Sequence, residues 1–120
     1  MKILVVDDEA FGTILFMMLE YLFPACVDVA SNLVEAQEYL RSYPYDFVLS
    51  DLNLGKGAER DGIEILREAK KNNIDVVAIL MSAERMKAEE ITAAGIDQFL
   101  EKPIEMELIK KTIQNFWKRS

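Results

Sequence analysis

The chain has 120 residues, 51% of them hydrophobic, enough to bury one real core. Its formal charge is −7 with no histidine, so nucleic acid and anionic membrane surfaces are poor partners. The lone Cys26 rules out an intramolecular disulfide, no apolar run approaches the ~20 residues that span a bilayer, and no secretory leader pattern is visible, so a cytoplasmic chain is expected. Cys26 itself, in CVDVA, is expected to be a small core filler.

Taken in order, short apolar runs alternate with longer helical stretches. Strands are expected at 2–6, 26–30, 46–50, 75–81 and 97–101, and helices at 10–23, 33–42, 62–73, 84–94 and 104–118. Five strand–helix units at this spacing predict a doubly wound α/β domain, a parallel sheet with helices on both faces. The runs Ile3–Val6, Phe47–Leu49 and Val76–Met81 are continuously apolar, as central strands are. CVDVA alternates and DQFL is half polar, which places the second and fifth strands at the edges. Right-handed crossovers then give the flavodoxin-like order 2-1-3-4-5. Local signals agree. Ser31 or Asn32 can cap the second helix with Glu35 nearby, Asp61-Gly62 opens the third, and Asn72-Asn73 ends it. Gly95 stops the fourth, and Pro103 suits the start of the fifth.

Polar residues follow the strands. Asp7 and Asp8 follow the first, Asp51 the third, Ser82 the fourth and Lys102 the fifth. A parallel sheet brings these ends to one edge, where open α/β sheets bind ligands at the switch point between the first and third strands. Two carboxylates ~4 Å apart repel by about 4 kcal/mol at an effective dielectric of 20. Three carboxylates with one lysine therefore call for a proton or a divalent cation. Oxygen donors without histidine or cysteine suit a hard cation, and a shallow, partly hydrated site suits Mg²⁺. Lys102 and Ser82 can bind phosphoryl oxygens, and an exposed carboxylate among such groups can accept a phosphoryl group. Singly, each residue also fits a plainer role: Asp7 or Asp8 as a helix cap, Lys102 as a surface lysine, Ser82 as the cap of the fourth helix. Their convergence at four strand ends is what points to chemistry.

With VVDDE, LSDLN, LMSAE and EKP at these strand ends, the chain resembles the response-regulator receiver domain of two-component signalling across essentially all of residues 1–120. The resemblance implies that Asp51 is the phosphoacceptor and that Asp8, Asp51 and the Asn53 backbone carbonyl ligate Mg²⁺, with Asp7 acting mostly through water. It implies that Lys102 pairs with the carboxylate and then with the phosphoryl group, that Ser82 and Phe99 are the switch pair, and that the Lys102–Pro103 bond is cis. The donor would be a phosphohistidine on a histidine kinase or phosphotransfer protein, and the domain would catalyse its own dephosphorylation. Asn53 and Glu84, two residues after Asp51 and Ser82, resemble the pair that modulates dephosphorylation in chemotaxis regulators; they also read as ordinary exposed polar residues.

Where the family often carries Met-Pro after the acceptor, this chain has DLNLGKGAERDG, longer and without proline. Gly55 and Gly57 are expected to relax this rim and alter access to the site. On the first helix, Leu15, Phe16, Leu19, Leu22 and Phe23 form one apolar face, and Ile14, Met17, Met18 and Tyr21 a second. The second face, with Phe11, is a candidate docking surface for the kinase bundle; packing on the fifth helix or in a homodimer would cover it equally well. Residues 84–118 form the candidate output face toward a homodimer or a downstream effector.

Two other classes remain in play. An aspartate-dependent phosphohydrolase usually shows Asp-x-Asp after its first strand, whereas this chain has adjacent aspartates and no cap domain. A receiver-like interaction module not controlled by phosphorylation usually lacks one of the acids or the lysine, and this chain keeps them all.

Overall fold

The computed structural model describes residues 1–117, so the expected end of the fifth helix at residue 118 lies outside the described residues. Five strands, β1 (Lys2–Val6), β2 (Cys26–Ala30), β3 (Phe47–Asp51), β4 (Val77–Ser82) and β5 (Gln98–Glu101), alternate with five helices. These are α1 (Ala10–Leu22), α2 (Leu33–Ser42), α3 (Asp61–Asn72), α4 (Ala88–Ala93) and α5 (Met106–Trp117). All strand pairs are parallel and the order is β2-β1-β3-β4-β5, with the two less apolar strands at the edges as expected.

Because successive side chains point to opposite faces, the central strands feed two cores. Leu4, Val6, Val48, Ala78 and Leu80 pack with Ala36 and Leu40 of α2 and Ile65, Leu66 and Ala69 of α3. Ile3, Val5, Phe47, Leu49, Ile79 and Met81 pack with Leu15 and Leu19 of α1 and Ile109 and Ile113 of α5. Asn32 caps α2 by accepting the Glu35 N–H at 2.9 Å, while the Glu35 side chain accepts from Ser31 N at 2.7 Å. This reciprocal arrangement satisfies two otherwise orphaned donors.

Several boundaries differ from expectation. β3 and β4 extend one residue further, so Asp51 and Ser82 sit inside the hydrogen-bonded ladder, Asp51 opposite Met81 and Ser82 opposite Glu101. The fourth helix is short and none of its residues is buried. It begins at Ala88 rather than Glu84; the Glu84 N–H donates to Ser82 Oγ at 2.9 Å, a cap-like turn that no helix directly follows. Pro103 precedes α5 rather than opening it: Glu105 O accepts the first helical N–H groups, and Ile104 packs on the core before the helix begins. The Lys102–Pro103 peptide is cis. Cys26 is exposed rather than buried, because it opens an edge strand, with Lys2 Nζ 3.6 Å from its sulfur.

α1 also departs from the two-face reading. Met18 packs against the core together with Phe11, Phe16 and Phe23, while Leu22 is exposed. The second face is therefore narrower: Ile14 (51% exposed), Met17 (63%) and Tyr21 (87%).

Candidate functional site

The carboxyl edge of the sheet gathers the site. Strand ends from β1, β3, β4 and β5 open into a cleft of about 710 Å³ whose lining includes Asp8, Asp51, Asn53, Ser82, Glu84 and Lys102. Carboxylate oxygens of Asp7, Asp8 and Asp51 all lie within 4.8 Å of one another. Lys102 Nζ is 2.7 Å from Asp51 Oδ1 and 3.8 Å from Asp7 Oδ2. Phe11 lies beneath this ammonium, its ring centroid 5.4 Å from Nζ.

Asp7 and Asp51 are more enclosed than an exposed surface pair, 2% and 7% exposed. Asp7 Oδ1 accepts the Glu9 N–H at 2.7 Å in a local turn, but neither aspartate caps α1, whose cap position is Glu9 with no side-chain cap bond; Asp7 Oδ2 is buried and without a hydrogen-bond partner. Burial, reinforced by the Asp51 charge and opposed by the Glu9 N–H and Lys102, pushes the Asp7 carboxyl up to about 6. A desolvated oxygen with no hydrogen-bond partner, facing two further carboxylates and reached by Lys102 only at 3.8 Å, fits a divalent cation. The set is all oxygen, so it suits a hard divalent ion such as Mg²⁺ rather than a zinc-type site.

The β3–α3 segment folds into a turn over the acids. Gly55 and Gly57 adopt left-handed φ values of 104° and 84°, Leu54 and Ala58 close a turn, and Leu54 is buried in the core. At Gly55 the φ of 104° favours glycine; a Cβ there would stand 3.1 Å from Asp8 Oδ2, a contact that a small shift of this exposed carboxylate would relieve. Lys56 and Glu59 from this segment line the cleft; neither was singled out in the sequence. Gly62 packs directly against the backbone of Asp51 and Leu52. A Cβ there would overlap the Asp51 carbonyl oxygen and lie 2.8 Å from its carbon and 2.9 Å from Leu52 Cα.

Ser82 is buried, its Oγ held by the Glu84 N–H. Phe99 is half-buried against the core cluster on the α4 side of the sheet. Asn53 Oδ1 accepts from Arg60 N at 2.8 Å, and Glu84 Oε1 pairs with Arg60 Nη1 at 3.3 Å. Ile14, Met17 and Tyr21 lie on exposed α1, and Met18 and Phe11 beneath that surface.

A five-stranded parallel α/β sheet of order 2-1-3-4-5, with an acidic cleft at its switch point and a lysine on the central acid, defines a flavodoxin-like doubly wound domain. The sequence matches the response regulator receiver domain over residues 3–114, and the chain belongs to that family of two-component signalling switches. It is 32% identical over 113 residues to the transcriptional regulatory protein ZraR of Klebsiella oxytoca, covering 92% of this chain and 25% of that protein. A two-component response regulator from Clostridium difficile superposes with a TM-score of 0.84 at 22% identity, covering 98% of this chain and 96% of that one, a likeness of fold. Response regulator TrrA of Thermotoga maritima, in complex with Mg²⁺ and BeF, superposes with a TM-score of 0.80 at 27% identity, covering 96% and 97%. The chain spans less than half the length of the first curated relatives it matches (25%, 4% and 42%). Among the described residues, no helix is long and apolar enough to cross a membrane.

Proposed function

We propose that residues 1–120 act as one cytoplasmic receiver unit in which Asp51 accepts a phosphoryl group. A carboxylate oxygen of Asp51 attacks phosphorus, the bond from phosphorus to the donor's imidazole nitrogen breaks, and that nitrogen keeps the electron pair. The observation that carries this reading is the Asp51 carboxylate at the cleft, 2.7 Å from Lys102 Nζ and beside two further acids. Asp7, Asp8, Asp51 and the Asn53 backbone carbonyl would hold Mg²⁺, which when bound offsets the negative charge between carboxylates and phosphoryl oxygens. The Mg²⁺ and BeF bound to TrrA support this assignment.

Lys102 then neutralises charge on the phosphoryl group. Ser82 Oγ leaves the Glu84 N–H to donate to a phosphoryl oxygen, and Phe99 turns into the space opened. Asn53 and Glu84 line the cleft and govern how water reaches the phosphoryl group. The donor is a histidine kinase or histidine phosphotransfer protein, docking over Phe11, Ile14, Met17, Met18 and Tyr21. Output passes through the 84–118 face to a second copy or an effector. Mg²⁺-dependent labelling by a small radiolabelled acyl phosphate tests the reading: wild-type protein takes up label and Asp51→Asn does not. Equal labelling of the two overturns it, and so does turnover of phosphate esters at large, which defines a phosphohydrolase.

A further inference from the structure

Arg60 has no role in the reading above, yet its placement is specific. It is the single non-glycine among the described residues with φ in the left-handed region, 65°, a conformation that costs energy for a residue with a side chain. Its N–H donates to Asn53 Oδ1 at 2.8 Å. Its guanidinium crosses to the opposite rim, with Nη1 3.3 Å from Glu84 Oε1 and Nη2 2.9 Å from Glu90 Oε2. Half-exposed ion pairs contribute little net stability, so these contacts are a poor reason to hold a strained backbone. Arg60 does not line the cleft over Asp51. It lines the adjoining groove between α3 and α4, while Asn53 and Glu84, the two groups it holds, line the cleft itself.

We propose that Arg60 is a positioning residue that prolongs the phosphorylated state by clamping Asn53 and Glu84. The inference rests on Asp51 being the acceptor. In hydrolysis, water oxygen attacks phosphorus, the bond to the Asp51 carboxyl oxygen breaks, the carboxylate leaves with the electron pair, and the water proton passes to a base or to solvent. Of the groups that line the cleft, Arg60 holds two that can orient this water: the Asn53 amide oxygen, by accepting a hydrogen bond from it, and the Glu84 carboxylate, which can also take its proton. Arg60 occupies one lone pair of the first with its N–H and neutralises the second with its guanidinium, turning both toward α3. Loss of the guanidinium releases the Glu84 carboxylate to the cleft, where it orients the attacking water.

The test loads wild-type protein, Arg60→Gln, Arg60→Lys, Glu84→Gln and the Arg60→Gln/Glu84→Gln double variant with radiolabelled acyl phosphate and Mg²⁺. The donor is removed and the loss of label followed. Arg60→Gln is expected to lose label roughly three- to tenfold faster, below the full effect of a well-placed general base. Arg60→Lys, which keeps the charge, recovers most of the wild-type lifetime. In the Glu84→Gln background, Arg60→Gln adds nothing, because the one cleft carboxylate that Arg60 holds is already gone. A purely structural role for Arg60 would accelerate loss equally in both backgrounds, and that result overturns the clamp. Wild-type or slower decay in Arg60→Gln, or no recovery by lysine, also overturns it while leaving the acceptor intact. A wild-type protein that takes no label overturns the acceptor and the clamp together.

Discussion

Replacing Asp7 by Asn tests the electrostatics of the cleft directly. Asp7 is buried, its Oδ2 has no hydrogen-bond partner, and burial pushes its carboxyl up to about 6 from its ordinary 3.8. A carboxyl whose folded-state pKa is raised favours the fold fully below its unfolded value and loses that contribution as pH climbs through the folded value. Here the window runs from 3.8 to about 6. Two pH units at 1.36 kcal/mol each make the loss about 3 kcal/mol in metal-free protein. Asn keeps the shape and the acceptor for the Glu9 N–H but never carries the charge. Urea unfolding in chelator should therefore show Asp7→Asn gaining stability relative to wild type between about pH 4 and about pH 6, by up to about 3 kcal/mol, with the difference level above that. Excess Mg²⁺ should narrow the gap, since a ligand bound by the folded state alone stabilises that state, and wild type offers the fuller oxygen set. A difference between the two proteins that does not change with pH would show that Asp7 is not desolvated as described.

Two further perturbations test the architecture around the cleft. Gly62→Ala would drive a Cβ into the backbone of Asp51 and Leu52, so it should cost about 3 kcal/mol or more in urea unfolding and slow labelling; a loss under about 0.5 kcal/mol would contradict the packing. Amide exchange with and without beryllofluoride and Mg²⁺ should differ across residues 83–87, β5 and α5 as Ser82 exchanges its Glu84 contact for the phosphoryl mimic; a change confined to the cleft loops would mean that the switch does not run through this face.

Much of this architecture is legible in the sequence because a parallel sheet translates order along the chain into position in space. The apolar runs at Ile3–Val6, Phe47–Leu49 and Val76–Met81 identify central strands, and the residues at their carboxyl ends then fall on one edge. That is why Asp7, Asp8, Asp51, Ser82 and Lys102 could be grouped before any coordinates. What the sequence hides depends on contacts between separate segments. Arg60 meets Glu84 and Glu90, 24 and 30 residues away, from a left-handed backbone that no local pattern announces. A helical wheel gives α1 two apolar faces but not how far the core wraps around it, so Met18 and Leu22 exchange places. The turn from Ser82 to Lys87 delays α4 to Ala88, where a run of good helix formers reads as helix from Glu84 on. Asp-Gly at 61–62 reads as a helix start, while the greater constraint is the absence of room for any Cβ against Asp51.

The central claim is that Asp51, and no other residue, carries the phosphoryl group. Acyl phosphates are reduced by borohydride, so an aspartyl phosphate is trapped as homoserine at the modified position. Protein loaded with acyl phosphate and Mg²⁺, reduced, digested and sequenced by tandem mass spectrometry should show homoserine at position 51 and aspartate at positions 7 and 8, with no conversion when Mg²⁺ is chelated. Homoserine at position 7 or 8, or conversion at 51 that is indifferent to Mg²⁺, would contradict the account.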